Sequence, residues 1–134
     1  YTIFDTPIIN LLQYYYLRSL NLNVGYKNNQ FRLINKHKDL KFRKNKKNSL
    51  FIANWSLSEV PLAFRKKFIS TIKYHQFFLI SFQASFEKIN NYKYFQEMSK
   101  LLNKKFVIKI IKNKFYKGHF FKKEDHFFMV GIKK

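Results

Sequence analysis

The amino-acid sequence predicts an α/β fold with a mostly parallel sheet that ends in an antiparallel strand pair. Short continuous apolar runs at residues 50–53 and 77–82 are typical of parallel strands buried on both faces. Segments with apolar residues at helical spacing follow both runs. Two further β-rich runs, residues 106–111 and 127–132, close the chain without a helix between them, which indicates an antiparallel pair at the edge of the sheet.

The first third of the chain predicts a strand, a helix and a second short strand. The opening YTIFD is a strand that ends in the carboxylate of Asp5. A helix follows over residues 8–20, because Asp5 or Thr6 can cap it and Pro7 suits a first helical turn. The second strand is expected at residues 31–35. The basic stretch that follows, residues 36–48, is interpreted as a solvated loop, with a phosphate-gripping loop as the alternative.

The remaining helices are predicted from apolar spacing and from their start signals. Pro61 begins one helix, with Ser58 as its cap and with Phe68 and Ile72 in its apolar stripe. Another helix is predicted over residues 90–102. Together these elements predict one domain over residues 1–134, because a chain of this length is too short for two.

Composition limits the classes of function. The net charge of +20 is compatible with a nucleic-acid partner, yet the excess cations are mostly Lys spread along the chain, so a nucleic-acid partner is possible but less expected. The chain has no Cys, which excludes disulfides and thiolate chemistry. No apolar run reaches the roughly 20 residues of a membrane span, and no signal peptide is visible, so a cytoplasmic protein is expected. Because no Met opens the chain, we expect it to start inside a longer protein.

Four segments, taken in order, resemble the sugar O-methyltransferase family, whose members have the class I S-adenosylmethionine-dependent methyltransferase fold. They are YTIFDTPIINLLQYYYL, FIANWSLSEVP, FLISFQASFEKINNYKYF and EDHFFMVGI. The resemblance covers about three-quarters of the chain; no single segment is diagnostic, but their order and spacing match the family.

The resemblance implies a Rossmann-like sheet from its second strand onward, without the first strand and its glycine-rich turn. No Gly-x-Gly occurs in the chain. In the resembling fold the first strand lies at the centre of the sheet, between the second and the fourth. We therefore expect either a truncated chain, which we favour, or direct pairing of the second and fourth strands.

The resemblance also implies a cofactor, S-adenosylmethionine, and three residues that bind it. Asp5 at the end of its strand would accept from the two ribose hydroxyls; its alternative role is to cap the following helix. Asn54 would contact the amino acid end of the cofactor, and Trp55 would form a wall of its pocket. The hypothesis depends on Asp5 and Asn54 facing one crevice at the same rim of the sheet.

Two residues are candidates for catalysis. Glu59 would accept the proton of the substrate hydroxyl, or alternatively would form part of a helix cap together with Ser58. His126 is a weaker candidate acid or base. His119 and His126 do not have the spacing of a zinc signature, so no metal is expected.

The predicted function is methyl transfer to a hydroxyl of a sugar or glycan precursor. The alternatives are a basic RNA-binding module and an inactive scaffold of methyltransferase shape. Without the glycine-rich turn, the chain by itself is expected to bind the cofactor weakly or not at all.

Overall fold

The computed structural model describes residues 1–27, 29–40, 48–114 and 125–134. The chain forms two compact units, Tyr1–Phe42 and Arg43–Lys134, where the sequence predicts one domain over residues 1–134. Residues 41–47 of the predicted basic loop lie outside the described residues, and so does the segment 115–124, which contains His119.

The first unit is a small parallel sheet with one helix. Its elements are β1 (Thr2–Phe4), α1 (Pro7–Ser19), β2 (Val24–Gly25) and β3 (Phe31–Ile34), followed by a 3-10 turn, His37–Asp39. The strand order is β1-β3-β2, and both pairings are parallel. Asn10 is the buried residue of α1, and its side-chain amide donates to the Ile34 carbonyl oxygen at 2.9 Å, so a polar contact ties the helix to β3.

The second unit is a four-stranded mixed sheet with two helices. Its elements are β4 (Leu50–Asn54), α2 (Leu62–Ile72), β5 (Phe77–Gln83), the short hairpin β6 (Ser85–Phe86) and β7 (Ile89–Asn90), α3 (Asn91–Leu102), β8 (Phe106–Lys112) and β9 (His126–Lys133). The strand order is β4-β5-β9-β8. β4 and β5 are parallel, and β9 runs antiparallel to both of its neighbours, β5 and β8. The predicted antiparallel pair at the C-terminal end is therefore confirmed.

One face of the four-stranded sheet forms the core of the second unit. Ile80 on β5 and Met129 on β9 are opposite each other and fully buried. Helix α3 packs over this face, where the ring of Phe95 lies 4.2 Å from that of Phe82. Helix α2 packs over β4 through Phe68, whose ring lies 6.5 Å from that of Phe51. The pleat of the strands thus separates the side chains that face the helices from those on the opposite side of the sheet.

The opposite face of this sheet, which we call the outer face, carries large apolar side chains exposed to solvent. Strand register places these side chains on the same side of the sheet. They are Leu50 and Ile52 on β4, Phe77 on β5, Val107 on β8 and Ile132 on β9, all at least 38% exposed. These side chains are neighbours on the sheet, whereas the exposed apolar residues of ordinary protein surfaces are scattered singly.

Candidate functional site

A tight turn follows β4 and places polar side chains at the carboxyl end of the strand. Trp55 adopts a left-handed backbone conformation, with φ of 57°, which is rare for a bulky residue. Its N–H donates to the carbonyl oxygen of Ser81 at 2.9 Å, so the pairing of β4 with β5 continues into the turn. The left-handed residue reverses the chain directly beyond the sheet, where open α/β sheets bind ligands.

A buried serine and a buried glutamine hold the turn against β5. Ser58 Oγ lies 2.7 Å from the carbonyl oxygen of Trp55 and 2.8 Å from Oε1 of Gln83, and its single proton can serve one acceptor at a time. Both Ser58 and Gln83 are less than 9% exposed. The turn is therefore anchored to the last residue of β5.

The guanidinium of Arg65 fixes the second half of the turn from α2. Arg65 is fully buried, and its Nε and Nη2 donate to the carbonyl oxygens of Val60 at 2.7 Å and Ser58 at 2.6 Å. Its Nη1 donates to Oδ1 of Asn91, the first residue of α3, at 2.7 Å. Burial lowers the pKa of the Arg65 guanidinium. One planar, three-pronged donor thus joins the turn to both helices.

This arrangement corrects the predicted start of α2. The N-cap of the helix is Pro61, which provides no side-chain cap, and Leu62 is the first helical residue. The hydroxyl of Ser58 lies against Trp55 and Gln83 rather than against the first helical amides. The capping interpretation of Ser58 and Glu59 is therefore wrong, because the turn uses these residues before the helix begins.

Four polar side chains at the ends of β4, β5 and β9 form what we call the polar rim. Register places Asn54 opposite Ser81, and Gln83 opposite His126, on one face of the sheet. Ser81 Oγ donates to Oδ1 of Asn54 at 3.3 Å. Because Asn54 is exposed, its amide NH₂ can then donate to a ligand.

The carboxylate of Glu59 and the ring of Trp55 complete the site around this rim. Gln83 Nε2 donates to Oε1 of Glu59 at 3.4 Å, so the buried amide orients an exposed carboxylate. The rings of Trp55 and His126 lie 5.3 Å apart, and 37% of Trp55 is exposed. Of the residues that the sequence predicts for a site, Asn54, Trp55, Glu59 and His126 lie together here.

Asp5 lies in the first unit, at the end of β1. Its Oδ1 accepts from the N–H of Thr6 at 2.8 Å, and its Oδ2 accepts from Nε2 of Gln13 at 3.4 Å. Thr6 is the N-cap of α1 and makes no side-chain cap. Among the described strands, β1 and β4 belong to separate sheets. The expected rim of a single sheet shared by Asp5 and Asn54 is therefore not found, and the ribose-binding role of Asp5 stays a prediction.

Gln83 and Arg65 belong to the site although neither was predicted from the sequence. Gln83 could have been found by the rule that selected Asn54, because it is also a polar residue directly after a buried apolar run. Arg65 carries no comparable signal. A lone Arg within an amphipathic helix normally points to solvent, and only the tertiary structure shows that it faces inward.

Other kinds of site receive no support from the described part of the chain. No group of three or more potential metal ligands occurs among residues 1–27, 29–40, 48–114 and 125–134. Within the same residues, no helix has the length and apolar character required to cross a bilayer.

A scan against models of protein families gives no match, and neither does a search among curated proteins.

Proposed function

We propose that this chain belongs to an S-adenosylmethionine-dependent methyltransferase that acts on a hydroxyl of a sugar or glycan precursor. The observation that carries the proposal is the polar rim beyond the carboxyl ends of two adjacent parallel strands, β4 and β5, with Glu59 and Trp55 beside it. Ligands of open α/β sheets bind at this end of the strands.

The strand neighbours support a Rossmann-like sheet that lacks its first strand. Such sheets have the order 3-2-1-4-5, in which the first strand separates two parallel pairs. The proposal assigns β1 and β3, which are adjacent and parallel, to the second and third strands. It assigns β4 and β5, also adjacent and parallel, to the fourth and fifth. The described strands do not meet the condition that Asp5 and Asn54 lie at the rim of one sheet, and this assignment attributes their separation to the missing first strand.

The side chains of the site suit methyl transfer to an alcohol. S-adenosylmethionine supplies the methyl group when bound. The acceptor hydroxyl must lose its proton as its oxygen is methylated, and Glu59, oriented by Gln83, is the group we assign to receive it. His126 is the second candidate base. The indole of Trp55 would form a wall of the cofactor's pocket, and the Asn54 amide would donate to the carboxylate of its amino acid end.

The described residues fit only part of a cofactor site. Gly25 and Gly131 lie within strands, and no described glycine has a positive φ. Neither can provide the turn between a strand and a helix that lets backbone approach a nucleotide. Residues 1–134 should therefore bind the cofactor in the millimolar range rather than the micromolar range.

NMR of Trp55 tests the proposal, because this residue is the sole tryptophan of the chain and its indole N–H gives one assignable signal. Titration of residues 1–134 with S-adenosylhomocysteine should shift this signal saturably at millimolar concentration. Asn54→Ala should abolish the shift, whereas Asn103→Ala, at an exposed position after α3, should preserve it.

Three results would contradict the proposal or its parts. An unchanged Trp55 signal at saturating ligand would remove the cofactor site. Micromolar affinity would overturn the argument that a glycine turn is missing. Salt-sensitive retention of RNA, together with thermal melting that the cofactor does not alter, would favour the RNA-binding alternative.

A further inference from the structure

A cavity lies beside the polar rim, on the helix side of the sheet. Its volume is about 640 Å³, within the range of small-molecule sites. It is formed where β5 leads into the β6–β7 hairpin and where β9 begins. Ala84 follows Gln83 in the chain, and its N–H donates to the carbonyl oxygen of Asp125, which precedes His126, at 2.8 Å. The cavity is therefore formed by residues next in sequence to those of the polar rim.

Two aromatic rings form the apolar part of this cavity. The rings of Tyr92 and Phe127 lie 4.7 Å apart at an angle of 41°, and 38% of Tyr92 is exposed. Because Phe127 packs against Tyr92 and restricts its side chain, the exposed ring of Tyr92 offers a flat apolar surface to a ligand. The carbon-bound hydrogens on one side of a sugar ring are a matching apolar surface.

Polar groups surround these rings and can receive or supply hydrogen bonds. Glu87 and Asp125 contribute carboxylates, and Asn90 contributes an amide whose Oδ1 caps α3 by accepting from the N–H of Lys93 at 2.9 Å. Carboxylates form strong bonds with hydroxyl donors. The arrangement of a ring platform with acceptors around it suits a polyhydroxylated ligand.

The charges of the cavity disfavour an anionic ligand. Lys88 lines it together with Glu87, and the carboxylate of Asp125 is paired with Lys112 at 2.7 Å. Among the described residues of the cavity and their ion-pair partner, two cations therefore accompany two carboxylates, although the chain as a whole has a net charge of +20. Among the described lining residues there is no Arg, the residue that binds phosphate in a bidentate manner.

We infer that this cavity binds an uncharged sugar ring, stacked on Tyr92 and hydrogen-bonded to Glu87 and Asp125, and that it discriminates against phosphorylated sugars. The inference rests on the proposed function in one respect: the sugar bound here is the acceptor of the proposed methyl transfer. It adds where the acceptor binds and which charge it carries.

Titration of residues 1–134 with methyl β-D-glucopyranoside, without cofactor, tests the inference by ¹H–¹⁵N NMR. We expect saturable shifts of the amides of residues 84–92 and 125–127 at millimolar concentration, and weaker binding of glucose 6-phosphate at these amides. Tyr92→Ala should weaken glucoside binding about tenfold through loss of the stacking surface. Tyr74→Ala is the matched control, because Tyr74 is 39% exposed and does not line the cavity.

A second variant keeps the test decisive if Tyr92→Ala disturbs folding. Asp125→Asn retains the shape of the side chain but removes the charged acceptor, and it should also weaken glucoside binding. Equal or tighter binding of glucose 6-phosphate, or shifts that neither variant reduces, would overturn the inference. If residues 1–134 without substitution fail to bind the glucoside, while Trp55 still responds to S-adenosylhomocysteine, the inference alone is overturned. The reverse pattern would overturn the proposed function alone.

Discussion

The ring of Phe78 on β5 occupies the space in which a side chain of Gly131 would lie. The two residues are opposite each other in the β5–β9 ladder, and an ideal Cβ at Gly131 would lie 2.1 Å from Cε1 of Phe78. Because Phe78 is 2% exposed and also packs against Phe106, its ring cannot move aside without disturbing the core. A glycine is therefore required at this point of β9 by close packing and not by backbone conformation.

Gly131→Ala should destabilise the second unit by roughly 1–3 kcal/mol, the usual range for overpacking of a well-filled core. Urea denaturation followed by circular dichroism measures the effect. Gly25→Ala is the control, because the atoms nearest to its added Cβ belong to the flexible amide side chain of Asn29. Equal stability of the two variants would show that the Phe78 ring does not confine position 131.

Arg65→Met should lower the free energy of unfolding by about 1–3 kcal/mol, because the carbonyl oxygens of Val60 and Ser58 lose a buried donor. The signal of Trp55 should also shift, since the turn that carries it loses its anchor. Lys66→Met, at the exposed neighbouring position of α2, should change neither property. An unaltered Trp55 signal in the Arg65 variant would mean that Ser58 and Gln83 suffice to hold the turn.

The stability of the protein should fall more steeply at alkaline pH than that of its Tyr94→Phe variant. Burial raises the pKa of Tyr94 above its ordinary value of 10.0. In the unfolded chain Tyr94 ionises near pH 10.0, whereas in the folded chain it stays neutral up to its higher pKa. The unfolded state therefore binds fewer protons in this interval, and the stability contribution, complete below pH 10, is lost as the pH rises through it.

The same variant should be as stable as the parent, or slightly more stable, at neutral pH. The Tyr94 hydroxyl is buried and has no hydrogen-bond partner among the described residues, so its removal relieves a desolvation cost. The phenyl ring remains beneath the guanidinium of Arg65, which lies 5.0 Å from the ring centroid in the parent. Chemical denaturation at pH 7 and above pH 10 measures both effects. Tyr16→Phe, at an exposed position, should reproduce neither.

Asn90→Ala should destabilise the protein by about 1 kcal/mol, because the Asn90 side chain accepts from the N–H of Lys93 and caps α3. Thr6→Ala should have a smaller effect, since Thr6 is the N-cap of α1 but makes no side-chain cap. Thermal unfolding of the two variants gives the comparison. A larger loss for Thr6→Ala would contradict the cap assignment.

The sequence was sufficient to predict the principal strands and all three helices of the described residues. Continuous apolar runs and 3.6-residue spacing indicate where strands and helices lie, so β5 and α3 could be placed to within one residue at each end. The expected burial of the strands on both faces is wrong for the outer face, where Leu50 and Ile52 are exposed. The sequence did not predict β2 or the β6–β7 hairpin, because strands of two residues carry no periodicity. Their position depends on neighbouring strands that lie apart in sequence.

The site residues that follow a strand could be predicted from the sequence, whereas the residues that hold the site from the buried side could not. Asn54 and Trp55 could be selected because they follow an apolar run. The inward direction of Arg65 could not, because helical spacing does not show what lies opposite a residue. In the same way, the apolar spacing of α1 predicts buried side chains, yet Ile8 and Leu12 are 80% and 66% exposed.

The outer face also determines how the purified protein responds to ionic strength. Among the described strands, β4 has a partner on one side only and exposes Leu50 and Ile52, and a strand edge of this kind is a template for pairing with another strand. The charge of +20 keeps molecules apart in dilute buffer, but salt screens that repulsion over a few ångströms and strengthens apolar attraction. Added sulfate should therefore cause the protein to aggregate, which is measured as turbidity. The Ile52→Lys variant should need more sulfate to aggregate.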